Sequence, residues 1–426
     1  MKLNYKRTFF IGFAFLSISA FWQTYDNIIP LILQDTFHLK EVPIGIIMAL
    51  DNVLAVFLLP LLGSLSDKVS TPLGKRTPFI IVGTTFAVIF MMLMIYADFS
   101  SNIILFIVSL AITLLAMALY RSPAVALMPD LTPKPLRSKA NAVINLMGAI
   151  GGMYSLVLIR VLVKKTDAKA NYLPLFIGIA LIMVLAIVLL VSTTKENEIA
   201  KQIARDYPEE VNNEEKSGKK AKMPSDVRRS LCFLLASIFL WFTAYNAVTT
   251  AFSRYAENVW GLRGGSFANC LMVAMVAAIL SYIPIGFVSS KLGRKKTILI
   301  GLVLMFVAYF GVMFAGKFHP IINVAFALVG IGWATISVNS LPMVVDMASG
   351  SDLGKFTGLY YTFSMTAQIL TPILSGYLLQ HVSYKTLFPY ATIFTACAFV
   401  TMLFVKHGDT KPLTKKTLIE NFDIED

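Results

Sequence analysis

Residues 63–76 read GSLSDKVSTPLGKR, and residues 286–295 read GFVSSKLGRK. Each stretch is a short polar loop between two long apolar runs. Each opens on a glycine, reaches a lysine five residues later (Lys68, Lys291), and closes on a glycine followed by two basic residues (Lys75 and Arg76, Arg294 and Lys295). Two further correspondences keep the same order. Ala126-Leu-Met-Pro-Asp130 ends one apolar run and Met343-Val-Val-Asp346 ends another, while Trp22, Tyr25 and Asp26 have counterparts in Trp241, Tyr245 and Asn246, with one extra residue between. Three matches in the same order indicate that a unit of several helices was duplicated.

The apolar runs decide what kind of helix these are. Of 426 residues, 57% are hydrophobic and 14% charged, too few polar residues to cover a water-soluble surface. Continuous runs long enough to cross a bilayer recur at 8–34, 43–65, 79–97, 102–128, 140–163, 174–193, 230–256, 265–288, 297–315, 321–345, 356–380 and 386–405. They are continuous rather than alternating, which selects helices over barrel strands. The reading is an all-α membrane protein: twelve transmembrane helices in two pseudo-symmetric six-helix bundles. Residues 1–193 form the first bundle, 194–229 a cytoplasmic linker, 230–406 the second bundle and 407–426 a cytoplasmic tail. Part of the linker, around KENEIAKQIARD, reads as a surface helix and the rest as flexible chain.

The net charge of +13 raises the question of a nucleic-acid partner, but the charge lies in the short connections. With the N-terminus inside, the inward segments hold 27 Lys/Arg and the outward loops seven: Lys40, Lys164, Lys165, Lys169, Arg263, Lys317 and Lys385. That bias places both termini in the cytoplasm, with the plasma membrane as the expected site. Lys2, Lys6 and Arg7 precede an apolar run too long for a cleaved leader, so the run is the first span. Cys232, Cys270 and Cys397 fall in apolar runs without metal-ligand spacing and read as packing residues. Neither a metal nor a cofactor is expected, and His38, His319, His381 and His407 all lie near loops with no nucleophile beside them. An enzyme is therefore not the expectation.

The Gly-x-Leu-x-Asp-Lys block with its following basic pair resembles the signature loop of the major facilitator superfamily, over the whole chain. More narrowly, Ser66-Asp67-Lys68 with Gly74-Lys75-Arg76-Thr-Pro78-Phe79-Ile80 resembles the loop of the glycoside–pentoside–hexuronide cation symporters and of the sucrose-type proton symporters. Arg121-Ser-Pro-Ala-Val-Ala-Leu-Met-Pro-Asp130, followed by Arg137 and Ala140-Asn141, resembles their span-four exit. The resemblance implies a sugar or glycoside as small-molecule substrate, coupling to H⁺ or Na⁺, and a cavity lined by spans one, four, seven and ten. The melibiose-type pattern has two carboxylates one turn apart in span two; here Asp51 stands alone, which favours H⁺.

Asp26 and Asp51 are the cation-coupling candidates. Each lies eight residues from the outer end of its span, about 12 Å below that face. Two carboxylates at one depth could share a proton or clamp a cation. The alternative is that each is an isolated acid held by polar neighbours such as Asn27 and Asn52. Arg121 is the basic residue well inside span four, where span ten has Ser337, and could pair with a carboxylate, with substrate, or with Asp67 or Asp130. Arg160 and Arg254, near outer helix ends, read as snorkelling side chains. The substrate candidates combine flat rings with amides, as sugars require: Trp22, Gln23, Tyr25, Asp26, Arg121, Asn145, Trp241, Tyr245, Asn246, Trp333, Asn339 and Gln368, with Tyr361 weaker; packing or lipid-facing aromatics remain the alternative. Asp67, Lys68, Lys75, Arg76, Asp130, Arg137 and Asp346 form an inner-face set suited to holding one conformational state. Gly148, Gly151 and Gly152 in span five point to close helix packing.

The reading is cation-coupled symport of a sugar by alternating access, by a monomer in a lipid bilayer. Beside it stand a proton-coupled exporter of amphipathic compounds and a membrane sensor or scaffold without turnover. The orientation is open to a direct check. Cysteines introduced at Ser217 and Ser66 should react with an impermeant maleimide only from the cytoplasm, and one at Lys169 only from outside. Labelling of Ser217 from outside would overturn the charge-based topology.

Overall fold

A computed structural model describes residues 4–132, 137–164, 170–206, 224–347 and 353–409. Ser217 and Lys169, together with residues 207–223 of the linker and 410–426 of the tail, lie outside the described residues. The described residues contain no strand and fall into thirteen α-helices. Six precede the linker: α1 (Tyr5–Asp35), α2 (Glu41–Lys68), α3 (Thr77–Phe99), α4 (Ile103–Asp130), α5 (Arg137–Leu162) and α6 (Leu173–Thr193). The short polar helix α7 (Glu196–Asp206) is the surface helix read from the linker sequence. Six follow: α8 (Ser225–Trp260), α9 (Ala268–Leu292), α10 (Arg294–Met313), α11 (Ile322–Val345), α12 (Leu353–His381) and α13 (Leu387–Leu403). Thus α8 to α13 are spans seven to twelve.

Ten of these helical stretches are long and apolar enough to cross a membrane by length and composition; α1 and α12 are not among them. Their apolar runs are interrupted by polar residues, Gln23, Thr24, Asp26 and Asn27 in α1 and Ser364, Thr366, Gln368 and Thr371 in α12. Lipid excludes such groups unless they have work inside the protein. The least apolar spans are therefore where function is sought first.

The described residues divide into two compact units. One takes its residues from 1–39, 50–214 and 263–268, the other from 40–49, 215–262 and 269–426. Within the first, α1 packs on α4, α5 and α6, and α3 packs on α4 and α6. Within the second, α8 packs on α11, α12 and α13, and α10 packs on α11 and α13. The pairing scheme is the same in both, as a duplicated unit requires. The two exchanged pieces, 40–49 and 263–268, were not apparent from sequence. Each is held by close backbone approach inside its unit. A methyl group added at Gly376 of α12 would sit 2.8 Å from the Glu41 carbonyl oxygen, and one at Gly265 would run into the Ile159 carbonyl.

Association of apolar helices in lipid rests on such close approach, because lipid tails are as apolar as leucine. Where α5 crosses α1, Gly151 lies against the Leu16 backbone and Gly148 against Ser19. At this seam Thr24 and Ser155 share a hydrogen bond of 2.7 Å, and Tyr120 of α4 bonds Ser17 at 2.7 Å and donates to the Ala14 carbonyl at 2.9 Å. In the second unit Gly301 of α10 and Gly332 of α11 face each other's carbonyls. Cys270 is buried, but Cys232 and Cys397 are exposed on helix surfaces, so the packing reading applies to Cys270 alone.

A test separates close approach from helix propensity. Gly151→Ala places its methyl on the Leu16 carbonyl and should destabilise the detergent-solubilised protein by about 1–3 kcal/mol. Gly311→Ala, where nothing lies within 4 Å, should be neutral or slightly stabilising. Equal thermal stability of both variants would show that α1 and α5 do not depend on this contact.

Candidate functional site

In the first unit α1, α2 and α4 bring four polar side chains and one ring system together. Asp26 and Asp51 lie within range of each other's charge, and Asp51 also lies in the field of Arg121. Tyr25 lies in the field of both carboxylates. The Arg121 guanidinium sits over the Trp22 ring, 5.8 Å from its centroid, a cation–π arrangement. Trp22 meets Tyr25 edge-on at 5.3 Å. Asn52, the polar neighbour of Asp51, donates to its carboxylate at 2.8 Å. Asn27 turns away and donates to the Gln23 carbonyl at 2.8 Å. The Trp22 indole nitrogen and the Tyr25 hydroxyl are buried without a hydrogen-bond partner among the described residues. Unmet buried donors are costly, and they mark where a polar ligand would be welcome.

The equivalent helices of the second unit, α8 and α11, build a drier counterpart. Tyr245 stacks flat on Trp333, centroids 3.8 Å apart and planes 7° from parallel, and Phe242 meets the same indole edge-on at 5.3 Å. The Asn246 amide nitrogen has no partner among the described residues, and Trp241 is fully buried with its indole nitrogen unbonded. Asn339 is buried and satisfied: Ser289 donates to its carbonyl, and its amide donates to the Thr335 carbonyl at 2.9 Å. Gln368 is half-buried with a long 3.4 Å bond to the Ser364 carbonyl, Asn145 is exposed on α5, and Gln23 is half-buried beside Trp22 in sequence. The geometry unites Trp22, Tyr25, Asp26, Asp51 and Arg121 in one unit and Tyr245 with Trp333 in the other.

The inner-face set forms a network in each unit. Arg76, 4% exposed, donates to Asp67 and Ser66, to Asp130 at 2.8 Å and to the Gly63 carbonyl at 3.2 Å, while Lys75 pairs with Asp130 at 3.1 Å. In the second unit Arg294 pairs with Asp346 in the same relation. Lys68 is exposed at the end of α2, and the Arg137 side chain, at the start of α5, lies outside the described set. Arg121, further inside α4, lies in the field of Asp51.

Two residues missed by sequence reading complete the networks. Glu196, at the start of α7, accepts from the backbone amides of Lys75, Arg76 and Thr77 at 2.8–3.2 Å and from the Thr77 hydroxyl at 2.7 Å. Asp409, after α13, accepts from the Lys295 amide at 2.8 Å. Each carboxylate meets the positive end of the helix that follows the motif, α3 or α10. This also accounts for the motif glycines. Gly74 and Gly293 have φ of +120° and +90°, and a side chain at either would collide with Glu196 or Asp409. The missed signal was positional: an acid a few residues beyond the last span of each half.

Arg254 overturns its snorkelling assignment. It is 4% exposed and pairs with Glu41, 4% exposed, at 3.0 Å; its guanidinium also donates to the Thr250 carbonyl at 3.0 Å. Tyr384 donates to the same carboxylate at 2.6 Å, and Gln380 accepts from the Val42 amide at 2.9 Å. Residues 40–49, α8 and α12 of the second unit thus meet at one buried ion pair. Glu41 went unnoticed in sequence because it stands next to a loop, where an acid ordinarily caps a helix in water.

A sequence profile of the Major Facilitator Superfamily matches residues 11–338 and 261–421. The chain belongs to that superfamily. It is 31% identical over 137 residues to an uncharacterised MFS-type transporter of Schizosaccharomyces pombe, and 28% identical over 123 residues to one of Methanocaldococcus jannaschii. These matches span 32% and 29% of this chain, and only 29% and 30% of the length of those relatives. Solved structures share the fold over nearly the full length. The xylose transporter XylE of E. coli superposes with a TM-score of 0.69 at 13% identity, covering 98% of both chains. A variant of the nucleoside transporter NupG gives 0.70 at 15% (95% and 100% covered), and the peptide transporter POT with sulfate gives 0.69 at 13% (94% and 93%).

The buried pair makes a stability prediction. Glu41→Ala leaves Arg254 without its carboxylate and should cost about 3–5 kcal/mol in thermal or denaturant unfolding. Glu41→Ala combined with Arg254→Ala should recover much of that loss. Fully additive losses would show that the two side chains do not act as a pair.

Proposed function

We propose that this transporter couples a proton to the movement of a sugar or glycoside by alternating access, with Asp26 and Asp51 as the proton-carrying pair. The observation that carries the reading is a chain of charges in one unit: Asp26 lies in the field of Asp51, and Asp51 in that of the Arg121 guanidinium. Two carboxylates and one guanidinium leave one negative charge in excess, and a single proton neutralises it. Such a set favours a neutral substrate travelling with H⁺, since moving uncompensated charge through a low-dielectric interior is costly. Trp22 supports the substrate side of the reading: an indole one turn from Asp26, its ring N–H unmet, suits the apolar face and hydroxyls of a pyranose. Tyr245 and Trp333 present a second flat apolar surface in the other unit. Gln23, Asn145, Trp241, Asn246, Asn339 and Gln368 stay in the proposal as secondary candidates, the buried and bonded Asn339 least of all. The networks around Arg76 and Arg294, with Asp67, Asp130 and Asp346, would set the balance between conformations rather than bind substrate.

A proton-coupled exporter of amphipathic compounds is the second reading, supported by the same unpaired negative charge, which a lipophilic cation could neutralise. The test begins with a thermal-shift screen of purified protein against mono- and disaccharides and lipophilic cations. In proteoliposomes loaded with the stabilising sugar, Asp51→Asn should abolish accumulation driven by a pH gradient while leaving counterflow exchange. Undiminished gradient-driven accumulation in both Asp26→Asn and Asp51→Asn would remove the pair from the mechanism, and stabilisation by a cation alone would replace the sugar by the exporter reading.

A further inference from the structure

We propose that Trp22 is a positioning residue for the proton site: its indole seats the Arg121 guanidinium and thereby fixes where that cation stands relative to Asp51. This role presupposes Asp51 as a proton carrier, as proposed above. The guanidinium carbon lies 5.8 Å from the centroid of the Trp22 ring, within the range at which the face of an indole holds a cation. Asp51 lies in the field of the same guanidinium. Asp26, one turn beyond Trp22 on the same face of α1, lies in the field of Asp51. Trp22 and Asp26 of α1, Asp51 of α2 and Arg121 of α4 therefore form one closed set, with Tyr25 in the field of both carboxylates.

The chain on either side of Arg121 is pinned. Tyr120 bonds Ser17 of α1 at 2.7 Å and donates to the Ala14 carbonyl at 2.9 Å, and Ser122 donates to the Leu59 carbonyl of α2 at 2.8 Å. The Arg121 backbone thus has a settled place beside α1 and α2. Its charge, however, sits at the end of a long side chain with several rotatable bonds, and that tip needs a seat of its own. The Trp22 ring suits the task because it is itself held. Phe21 meets it edge-on at 5.2 Å and Tyr25 at 5.3 Å, and both of those rings are buried. Arg121 is engaged elsewhere as well, and the two kinds of contact do not compete. A guanidinium donates its hydrogen bonds in its own plane and offers its flat faces to a ring.

The duplicated half supplies an internal comparison. In the second unit Ser337 stands where Arg121 does, and the Trp241 indole, the counterpart of Trp22, is fully buried. An indole at this place therefore packs without a cation, and the guanidinium over Trp22 belongs to the half that carries the two carboxylates. The arrangement also gives solute and proton a common part. Trp22 is the ring offered to a pyranose in the proposed function, so a solute resting on it meets the group whose charge reaches Asp51.

The experiment uses the full chain purified in a neutral detergent with no solute added, and reads the thermal unfolding midpoint from about pH 4 to about pH 9, where titrating carboxylates make stability depend on pH. Trp22→Leu keeps bulk and loses the aromatic face; it should displace the profile along the pH axis by about half a unit or more. Trp22→Phe, whose ring holds a cation less well than indole does, should displace it less. In an Asp51→Asn or an Arg121→Gln background, Trp22→Leu should lower the curve without displacing it. A ring that only packs would lower every curve alike. An undisplaced Trp22→Leu profile, or the same displacement after Asp51 or Arg121 is replaced, would therefore overturn the assignment. If Trp22→Leu does not fold, the Trp22→Phe profiles in the same backgrounds decide by the same criterion. With no solute present, the outcome is independent of what is transported, and the proteoliposome assay of Asp51→Asn tests the proton-carrying pair by itself.

Discussion

In hydrocarbon an unpaired backbone amide or carbonyl costs several kcal/mol, and no water is present to relieve it. Each crossing segment of this chain therefore closes its own hydrogen bonds as a helix, and helices that have already satisfied themselves have little left with which to find one another. What remains is close approach and a small number of polar contacts. The glycines at the α1–α5 crossing and at the α10–α11 crossing let backbones meet. Hydroxyl pairs such as Thr24 with Ser155 and Ser17 with Tyr120 add direction to contacts that packing alone would leave rotationally loose.

The charged contacts concentrate where the membrane constraint ends. Arg76 ties the end of α2 to Asp130 of α4, and Arg294 meets Asp346 in the equivalent place. Glu196 and Asp409 bring chain from beyond the last span of each half back onto the amino end of a helix. The duplicated unit thus includes its closing carboxylate. Within it the halves have diverged: Asp67 has Ser290 as its counterpart, and Asp26 has Asn246. The first unit holds Asp26, Asp51 and Arg121 beside the Trp22 ring, and the second holds the stacked pair of Tyr245 and Trp333 in the equivalent helices.

The helices were legible in the sequence almost to their ends, because length of apolar run is local information and a bilayer imposes a minimum length. The superfamily was legible for a related reason: the Gly74 and Gly293 loops need a left-handed glycine at a fixed offset from basic residues, and such a requirement leaves a recurring string. Of the site, Asp26, Asp51 and Arg121 stood out as charges in the wrong solvent, and their depth along the helix could be counted. The ion pair of Glu41 and Arg254 could not be read in the same way, since both residues stand near helix ends where a charge is ordinary.

What the sequence by itself determined is the set of helices, the duplication and the depth of each polar group. What only the tertiary structure decided is direction around each helix axis. Most of these helices are apolar on nearly every side, so no amphipathic stripe states which face is inward. Rotation is set instead by backbone-to-backbone fits such as Gly151 on Leu16 and Gly45 on Pro372. Only in the packed units does Asp26 lie in the field of Asp51 and Asp51 in that of Arg121, is Asn339 spent on Ser289 and Thr335, and does Arg254 find Glu41 across 213 residues of chain. Depth is a property of position along one helix and survives in the linear order; facing is a property of packed pairs, and it exists only once the helices have met.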